Sequence, residues 1–277
     1  MSGLKTKRVM KFMALAIMAQ MMVVASAFAT ASTHIWAPST DVQAYKKWHL
    51  TADFYVPTES NSDGSRANTI TNAGLTVGIL PFKKLNAEVG FDHKSGTGAI
   101  DKYPIYFNAK VGIPEESCGR FFPAIAAGVY DLGTKQDKTD FNVFYVKAAK
   151  TIRLGKDIIC KIWPRYGKEG AAGAPDDEGF CLGKFSAGYF AGNKKLLLHG
   201  SKIDNEGVLL AWERVMSEIS DKLWVAVEYQ SSRSAYGAMN YGASWKFADN
   251  VSVIFGYQVY NDVNLANTFT IQTDIDF

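Results

Sequence analysis

The sequence has few of the residues from which catalytic and metal sites are usually built. Its 277 residues include three cysteines and four histidines. No Cys-x-x-Cys pair or histidine cluster has the spacing of a zinc site, and the Cys-x-x-Cys-His motif of covalently attached haem does not occur. The Gly-x-Ser-x-Gly motif of a nucleophilic serine is missing too. We therefore expect no catalytic residues, no metal and no cofactor.

Long apolar runs are lacking after residue 31. No window beyond that point approaches the roughly 18 to 20 apolar residues that a membrane-spanning helix needs. Lysine and arginine do not cluster there either, which argues against nucleic acid as a partner. If the mature chain is a membrane protein, it has to be a β-barrel, because only helices and closed barrels satisfy their backbone polar groups in lipid.

The first 31 residues have the organisation of a secretory signal peptide. Basic residues up to Lys11 precede an apolar run over 12–24, and small residues follow up to Ala31. We expect cleavage after Ala31, with Ala27 as the second choice; the alternative is a retained membrane anchor. The leader holds four basic and no acidic residues, so the 30 basic and 27 acidic residues of the whole sequence become 26 and 27 in the mature chain.

The last nine residues alternate as a strand with one apolar and one polar face. Successive strand side chains point to opposite faces, so one side would meet lipid and the other water. The ending resembles the closing strand of Gram-negative outer-membrane β-barrels, in which a terminal phenylalanine and hydrophobic residues at alternate positions serve as the assembly signal. The resemblance implies that the barrel assembly machinery recognises Phe269, Ile271, Ile275 and Phe277.

Alternation recurs along the mature chain, 32–277, and predicts an all-β fold. The prediction is a transmembrane, antiparallel, up-and-down β-barrel of about 12 strands, with 10 or 14 as alternatives. Residues 32–46 would form an irregular lead-in on the periplasmic side. The predicted strands are 48–56, 69–80, 85–91, 105–113, 122–131, 141–152, 184–192, 207–215, 223–230, 239–247, 251–260 and 269–277.

The connections between these strands separate by length. If the C-terminus is periplasmic, short links fall inside and longer loops outside, as in bacterial barrels. The exception is 153–183, an insertion between the sixth and seventh strands on the periplasmic side. It contains Cys160 and Cys181, and the exported setting permits a disulfide between them, leaving Cys118 as a free thiol.

The polar faces of the strands supply the candidate site. They hold charges of both signs, which would line a narrow hydrated pore or fill the lumen with a plugging network. The predicted lining residues are Asp53, Glu88, Asn108, Lys110, Glu228, Gln230, Asn240, Lys246, Gln258, Gln272 and Asp274.

The whole mature chain resembles a porin-like outer-membrane β-barrel of a Gram-negative bacterium. The implied function is passive passage of small hydrophilic solutes, with membrane lipid as the surrounding partner. One alternative is a non-conducting scaffold that docks a periplasmic protein through 153–183. A remote alternative is a lipid-modifying enzyme, for which the histidines are poorly placed: His34 precedes the first strand, His49 lies near its end, and His93 and His199 fall in predicted loops.

Overall fold

The computed structural model describes residues 33–60, 64–155 and 180–277. The expected leader, Cys160 and most of the 153–183 insertion therefore lie outside the described residues. The strands are β1 Trp48–Pro57, β2 Ile70–Gly78, β3 Asn86–Ser95, β4 Ile105–Ile113, β5 Ala124–Gly133, β6 Asp140–Leu154, β7 Phe180–Ala191, β8 Leu198–His199, β9 Lys202–Ile203, β10 Glu206–Val215, β11 Leu223–Gln230, β12 Ala238–Ala248, β13 Val251–Tyr260 and β14 Thr268–Asp276, and the short helix α1 is Gly98–Lys102.

Twelve of these strands form one closed antiparallel barrel. Each pairs with its neighbours in the chain, and β1 pairs with β14 to close the cylinder. The C-terminal residue completes this seam, because Phe277 and Trp48 exchange backbone hydrogen bonds of 2.8 and 3.0 Å. The predicted all-β barrel of 12 strands is confirmed. The hairpin of β8 and β9 and the helix α1 are additions within predicted loops.

The barrel is apolar outside and polar inside. Along β14, Thr268, Thr270, Gln272, Asp274 and Asp276 are buried, while the residues between them are half-buried or exposed. The same period of two places large apolar side chains on the outer surface of the other strands. A closed ladder leaves no unpaired edge, so such a surface is stable in hydrocarbon. In the part of the chain that the structure describes, no helix is long and apolar enough to cross a membrane.

Strands β3, β6 and β7 run further than their alternation predicts. β3 continues to Ser95, so His93 belongs to a strand and not to a loop. β6 ends at Leu154 and β7 begins at Phe180, and these two residues are paired. The ends of the predicted 153–183 insertion are therefore an extension of the β6–β7 hairpin.

The expected periplasmic lead-in is instead inside the barrel. Residues 33–47, called the inner segment below, enter the lumen from the end where β1 begins, and Ile35 and Ala37 are completely buried. Near its start the segment turns, with a hydrogen bond from the His34 N–H to the Ala37 carbonyl. Ala37 packs in an apolar cluster with Val143, Tyr145, Phe190, Leu197, Leu209 and Tyr236. The prediction was wrong because the partners that bury this stretch are far away in sequence.

Candidate functional site in the barrel lumen

The structure places all eleven predicted lining residues on the inner face. Asn108 and Lys246 are half-buried, and Lys246 lies near the end of β12, 3.7 Å from Asp249 in the following turn. The other nine are buried: Asp53, Glu88, Lys110, Glu228, Gln230, Asn240, Gln258, Gln272 and Asp274. Their burial is caused partly by neighbouring wall residues and partly by the inner segment. Whether they line a conducting pore remains a prediction.

Glu228 of β11 holds the turn of the inner segment. Its Oε1 accepts hydrogen bonds from the backbone N–H groups of Trp36 at 2.7 Å and Ala37 at 3.0 Å, and its Oε2 accepts one from Ile35 at 3.2 Å. The side-chain amide of Asn240 donates to the same carboxylate at 2.6 Å. One buried anion thus satisfies three consecutive backbone donors, so these N–H groups are buried without the free-energy cost of an unpaired donor.

Lysines on the wall satisfy carbonyl groups of the same segment. Lys147 donates to the Pro38 carbonyl at 2.9 Å, and Lys110 donates to the Asp41 carbonyl at 2.7 Å. Lys184 forms an ion pair with the Asp41 side chain at 2.6 Å. Because Lys110, Lys147 and Lys184 come from β4, β6 and β7, the contacts fix the segment along the wall from β4 to β7.

Two further wall residues, Glu88 and Gln272, also hold the inner segment. The Glu88 carboxylate accepts a 2.6 Å hydrogen bond from the Gln43 backbone N–H, and it also pairs with Lys110 at 3.3 Å. The Gln272 amide donates to the Ile35 carbonyl at 2.7 Å. With Glu228, four predicted lining residues therefore bind the chain's own backbone, the others being Glu88, Lys110 and Gln272.

Gly78 allows the inner segment to reach the wall at the end of β2. Its N–H and carbonyl exchange hydrogen bonds of 3.0 and 2.8 Å with Lys47 and Lys46. A Cβ atom at this position would run into the carbonyl oxygens of Ala44 and Gln43. The absence of a side chain is therefore what permits the backbone contact.

A cavity of about 330 Å³ remains beside the inner segment. Its lining extends from His49, near the end of the barrel that carries the C-terminus, to Ile100 in α1 at the opposite end. The cavity therefore follows most of the barrel height. Strands β1 to β5 form much of its wall, and the inner segment contributes Ile35, Trp36 and Pro38.

Acidic and amide side chains form a hydrogen-bonded row across β1 to β4 in this cavity. Asn72 donates to Asp53 at 3.0 Å and to Asp92 at 3.3 Å, and Asn108 donates to the other oxygen of Asp92 at 2.9 Å. Gly74 makes room for the row, because a Cβ there would lie 2.9 Å from the Thr51 methyl group and closer still to Asp92. Asp53, Asn72, Asp92 and Asn108 are called the acidic row below.

The remaining charged residues of the cavity are paired with one another. Lys94 pairs with Asp131, to which the Tyr236 hydroxyl also donates. Asp131 has a φ of 55° and lies at a register shift between β5 and β6, and such a bulge redirects a side chain. His49 lies between two carboxylates of β14, 3.3 Å from Asp274 and 2.9 Å from Asp276.

An aromatic layer lies towards the end of the cavity at which α1 is located. Trp36 is at its centre, with ring centroids 6.2 Å from Tyr55, 5.9 Å from Tyr236 and 5.8 Å from Tyr260. Tyr236 belongs to the connection between β11 and β12, so a loop residue folds inward to meet the inner segment. The lumen is therefore narrowed by aromatic rings at this level.

The cysteine prediction is not tested. Cys160 lies outside the described residues, Cys181 is half-buried in β7, and Cys118 is exposed. Within residues 33–60, 64–155 and 180–277, no group of three or more histidine, cysteine, aspartate or glutamate side chains is arranged to hold a metal ion.

None of the known protein-family models and none of the curated proteins matches the sequence. Solved structures resemble it only distantly. A channel from the outer membrane of Pseudomonas putida F1 is 10% identical with a TM-score of 0.45, and the match covers 86% of this chain and 97% of that one. Omp33 of Acinetobacter baumannii is 8% identical with a TM-score of 0.39, and the match covers 84% of this chain and 97% of that one. A mutant porin of Rh. blastica is 10% identical with a TM-score of 0.37, and the match covers 84% of this chain and 98% of that one.

At these scores the likeness is limited to general architecture, so the classification depends on the geometry of this molecule. The cylinder is closed, its exterior is apolar and its interior is charged. The chain has the fold of a porin-like outer-membrane β-barrel. Its individual features are the inner segment and the cavity beside it.

Several residues of this barrel lumen were not predicted. Asp92 and Lys94 continue the alternation of Glu88 along β3, so a longer strand would have included them. Lys147 and Lys184 occupy alternating inward positions of β6 and β7. Asp131 had no comparable signal, since it faces inward only because of the bulge.

Proposed function

We propose that this barrel is a narrow channel for passive diffusion of small hydrophilic solutes across the outer membrane of a Gram-negative bacterium. The observation that carries the proposal is the cavity of about 330 Å³ that follows the barrel height beside the inner segment. A lumen with polar side chains along its length supports movement of water and small polar solutes, whereas a sealed barrel would fill this space with side chains. No catalytic step is part of the proposal.

The inner segment sets the width of the proposed path. Its turn lies against Glu228 and Lys147, and the cavity beside it is lined mainly by strands β1 to β5. We therefore expect a conductance below that of a 12-stranded barrel with an empty lumen. The wall residues Glu88, Lys110 and Gln272 would act by holding this segment as well as by contacting solutes.

Planar-bilayer recording tests the proposal. Purified, refolded barrel should give discrete conductance steps in potassium chloride, and vesicles that contain it should swell in isotonic solutions of small sugars. Barrels that are folded and inserted but electrically silent, in vesicles that do not swell, would contradict the proposed function without affecting the fold.

A second candidate is docking of a periplasmic protein through the β6–β7 connection. The observation in its favour is the length of this hairpin, since β6 has 15 residues and β7 has 12. Deletion of residues 156–179, replaced by a Gly-Asn turn, should then abolish capture of a periplasmic partner and leave conductance unchanged. If capture is unchanged by the deletion, this candidate is wrong.

A further inference from the structure

The charges that line the cavity are predominantly negative. Among the described lining residues are five carboxylates, those of Asp53, Glu88, Asp92, Asp131 and Asp274, and two lysines. The lysines are both paired: Lys94 with Asp131, and Lys110 with Glu88. With His49 protonated beside Asp274, the lining would still carry an excess of two negative charges.

That excess is concentrated in the acidic row. Within the described residues, neither Asp53 nor Asp92 has a lysine, arginine or histidine nitrogen within 4.0 Å. Asp53 instead accepts hydrogen bonds from the Thr51 hydroxyl and the Asn72 amide, and Asp92 accepts them from the amides of Asn72 and Asn108. Two anions joined through one amide form a site that a cation would stabilise, because the cation would offset their mutual repulsion.

Unpaired acceptor atoms in the cavity wall also favour a ligand that donates hydrogen bonds. Asn72 Oδ1 and Asp274 Oδ2 are buried acceptors that receive no hydrogen bond from the described residues, and Asp274 is only 4% exposed. The hydroxyl group of Tyr106 is completely buried and is also without a partner there. Gln258 Nε2 is a donor in the same situation. Buried polar atoms are normally satisfied, and a ligand that supplies N–H groups could satisfy these acceptors, as water could.

Aromatic rings line the same cavity. Trp36, Tyr55, Tyr106, Tyr130, Tyr236 and Tyr260 contribute to its wall, and Lys94 Nζ lies 4.9 Å from the ring centroid of Tyr106. The faces of such rings attract cations and pack against apolar bodies. A hydrated metal ion would use the carboxylates but not the rings, whereas an organic ammonium ion would use both.

We infer that the cavity takes small organic cations, in which an ammonium or guanidinium group binds the acidic row and a compact apolar or aromatic body packs against the tyrosines. This inference rests on the proposed function in one respect, namely that the bound cation is also the permeating solute. Binding itself is measured without any conductance.

Three probes with closely similar skeletons test the inference on the full, refolded chain: phenethylammonium, 2-phenylethanol and phenylacetate. Isothermal titration in detergent should give the ammonium ion an affinity roughly tenfold or more above that of the alcohol, which is the factor expected for one charge-assisted hydrogen bond. The carboxylate should bind more weakly than either. Equal affinities for the ammonium ion and the alcohol, or a preference for phenylacetate, would overturn the inference with the wild-type protein alone.

A double substitution and a matched control locate the site. Asp53→Asn with Asp92→Asn keeps the shape of the acidic row and removes its charge, so the preference for the ammonium ion over the alcohol should be lost. Asp249→Asn removes an acid from the turn between β12 and β13, where the side chain is 97% exposed, and should change nothing. An unchanged preference in the folded double variant would overturn the assignment.

Conductance separates this inference from the proposed function. A wild-type channel that gives steps should show a reversal potential that favours cations in a potassium chloride gradient, and the double variant should lose that selectivity. A conducting barrel without cation preference contradicts the inference alone. A silent barrel that still prefers the ammonium probe contradicts the channel proposal alone.

Discussion

Glu228 Oε1 accepts a hydrogen bond of 2.7 Å from the backbone N–H of Trp36, although the two residues are 192 positions apart. This contact joins the start of the described chain to β11, a strand that contributes no residue to the lining of the cavity. It also explains why an acidic residue can be 1% exposed inside the barrel, since its oxygens are occupied by backbone and amide donors.

The first prediction concerns Glu228→Ala. Removing the carboxylate leaves three buried N–H groups without an acceptor, which costs the docked state on the order of 3 kcal/mol or more. The inner segment should then leave the wall, and single-channel conductance should rise. Hydrogen exchange of the amides of Ile35, Trp36 and Ala37 should accelerate, while amides in β13 keep their protection. Unchanged exchange at these three amides would show that the segment is held by other contacts.

The second prediction releases the same segment without changing any charge. A methyl group at Gly78 meets the Ala44 carbonyl, so Gly78→Ala should displace residues 43–47 and raise conductance. The matched control is Gly98→Ala in α1, where an added Cβ has no heavy atom within 4 Å. If the two variants behave alike, the close approach at Gly78 is not important for docking.

The third prediction tests which surface meets lipid. Leu210 is in the middle of β10 and is 45% exposed on the outer face. Leu210→Arg should destabilise the barrel in vesicles by about 2–4 kcal/mol, as an arginine does near the bilayer midplane. Val263→Arg, at a site that is 94% exposed between β13 and β14, should be nearly neutral. Urea titrations of the refolded proteins measure both, and equal stabilities would argue against a lipid-facing surface at Leu210.

The fourth prediction is the Cys160–Cys181 disulfide. Cys181 lies in β7 and is paired with Arg153 of β6, and β6 ends at Leu154, six residues before Cys160 in the sequence. Mass spectrometry of the non-reduced, digested protein should find the linked peptides, with Cys118 alkylated. Alkylation of both Cys160 and Cys181 without prior reduction would contradict the pairing.

The sequence was informative where structure depends on local alternation. β14 reads as a half-apolar strand from its nine residues, and the burial pattern follows it position by position. The same holds for the inward placement of Asp53, Glu88 and Gln258. A period of two is a property of the strand backbone itself, so it needs no knowledge of distant residues.

The inner segment could not be predicted in this way. Residues 33–47 have neither the strand nor the helix period, and short irregular segments usually lie outside a barrel. Their burial depends on Glu228, Lys147 and Lys184, whose charges are read from the sequence only as polar faces. Asp131 is similar, because the bulge that turns it inward is set by pairing with β6. Non-local partners decide both cases.

The central claim is that residues 33–47 occupy the lumen and narrow it. The most direct test is single-channel conductance of a chain of residues 32–277 compared with the same chain without residues 33–45. The deleted residues are not part of the paired barrel strands, apart from one bridge between Tyr45 and Gly78. The shortened barrel should therefore still fold. We predict small steps for the full chain and steps several-fold larger for the shortened one. Equal conductance of the two folded barrels would contradict the account.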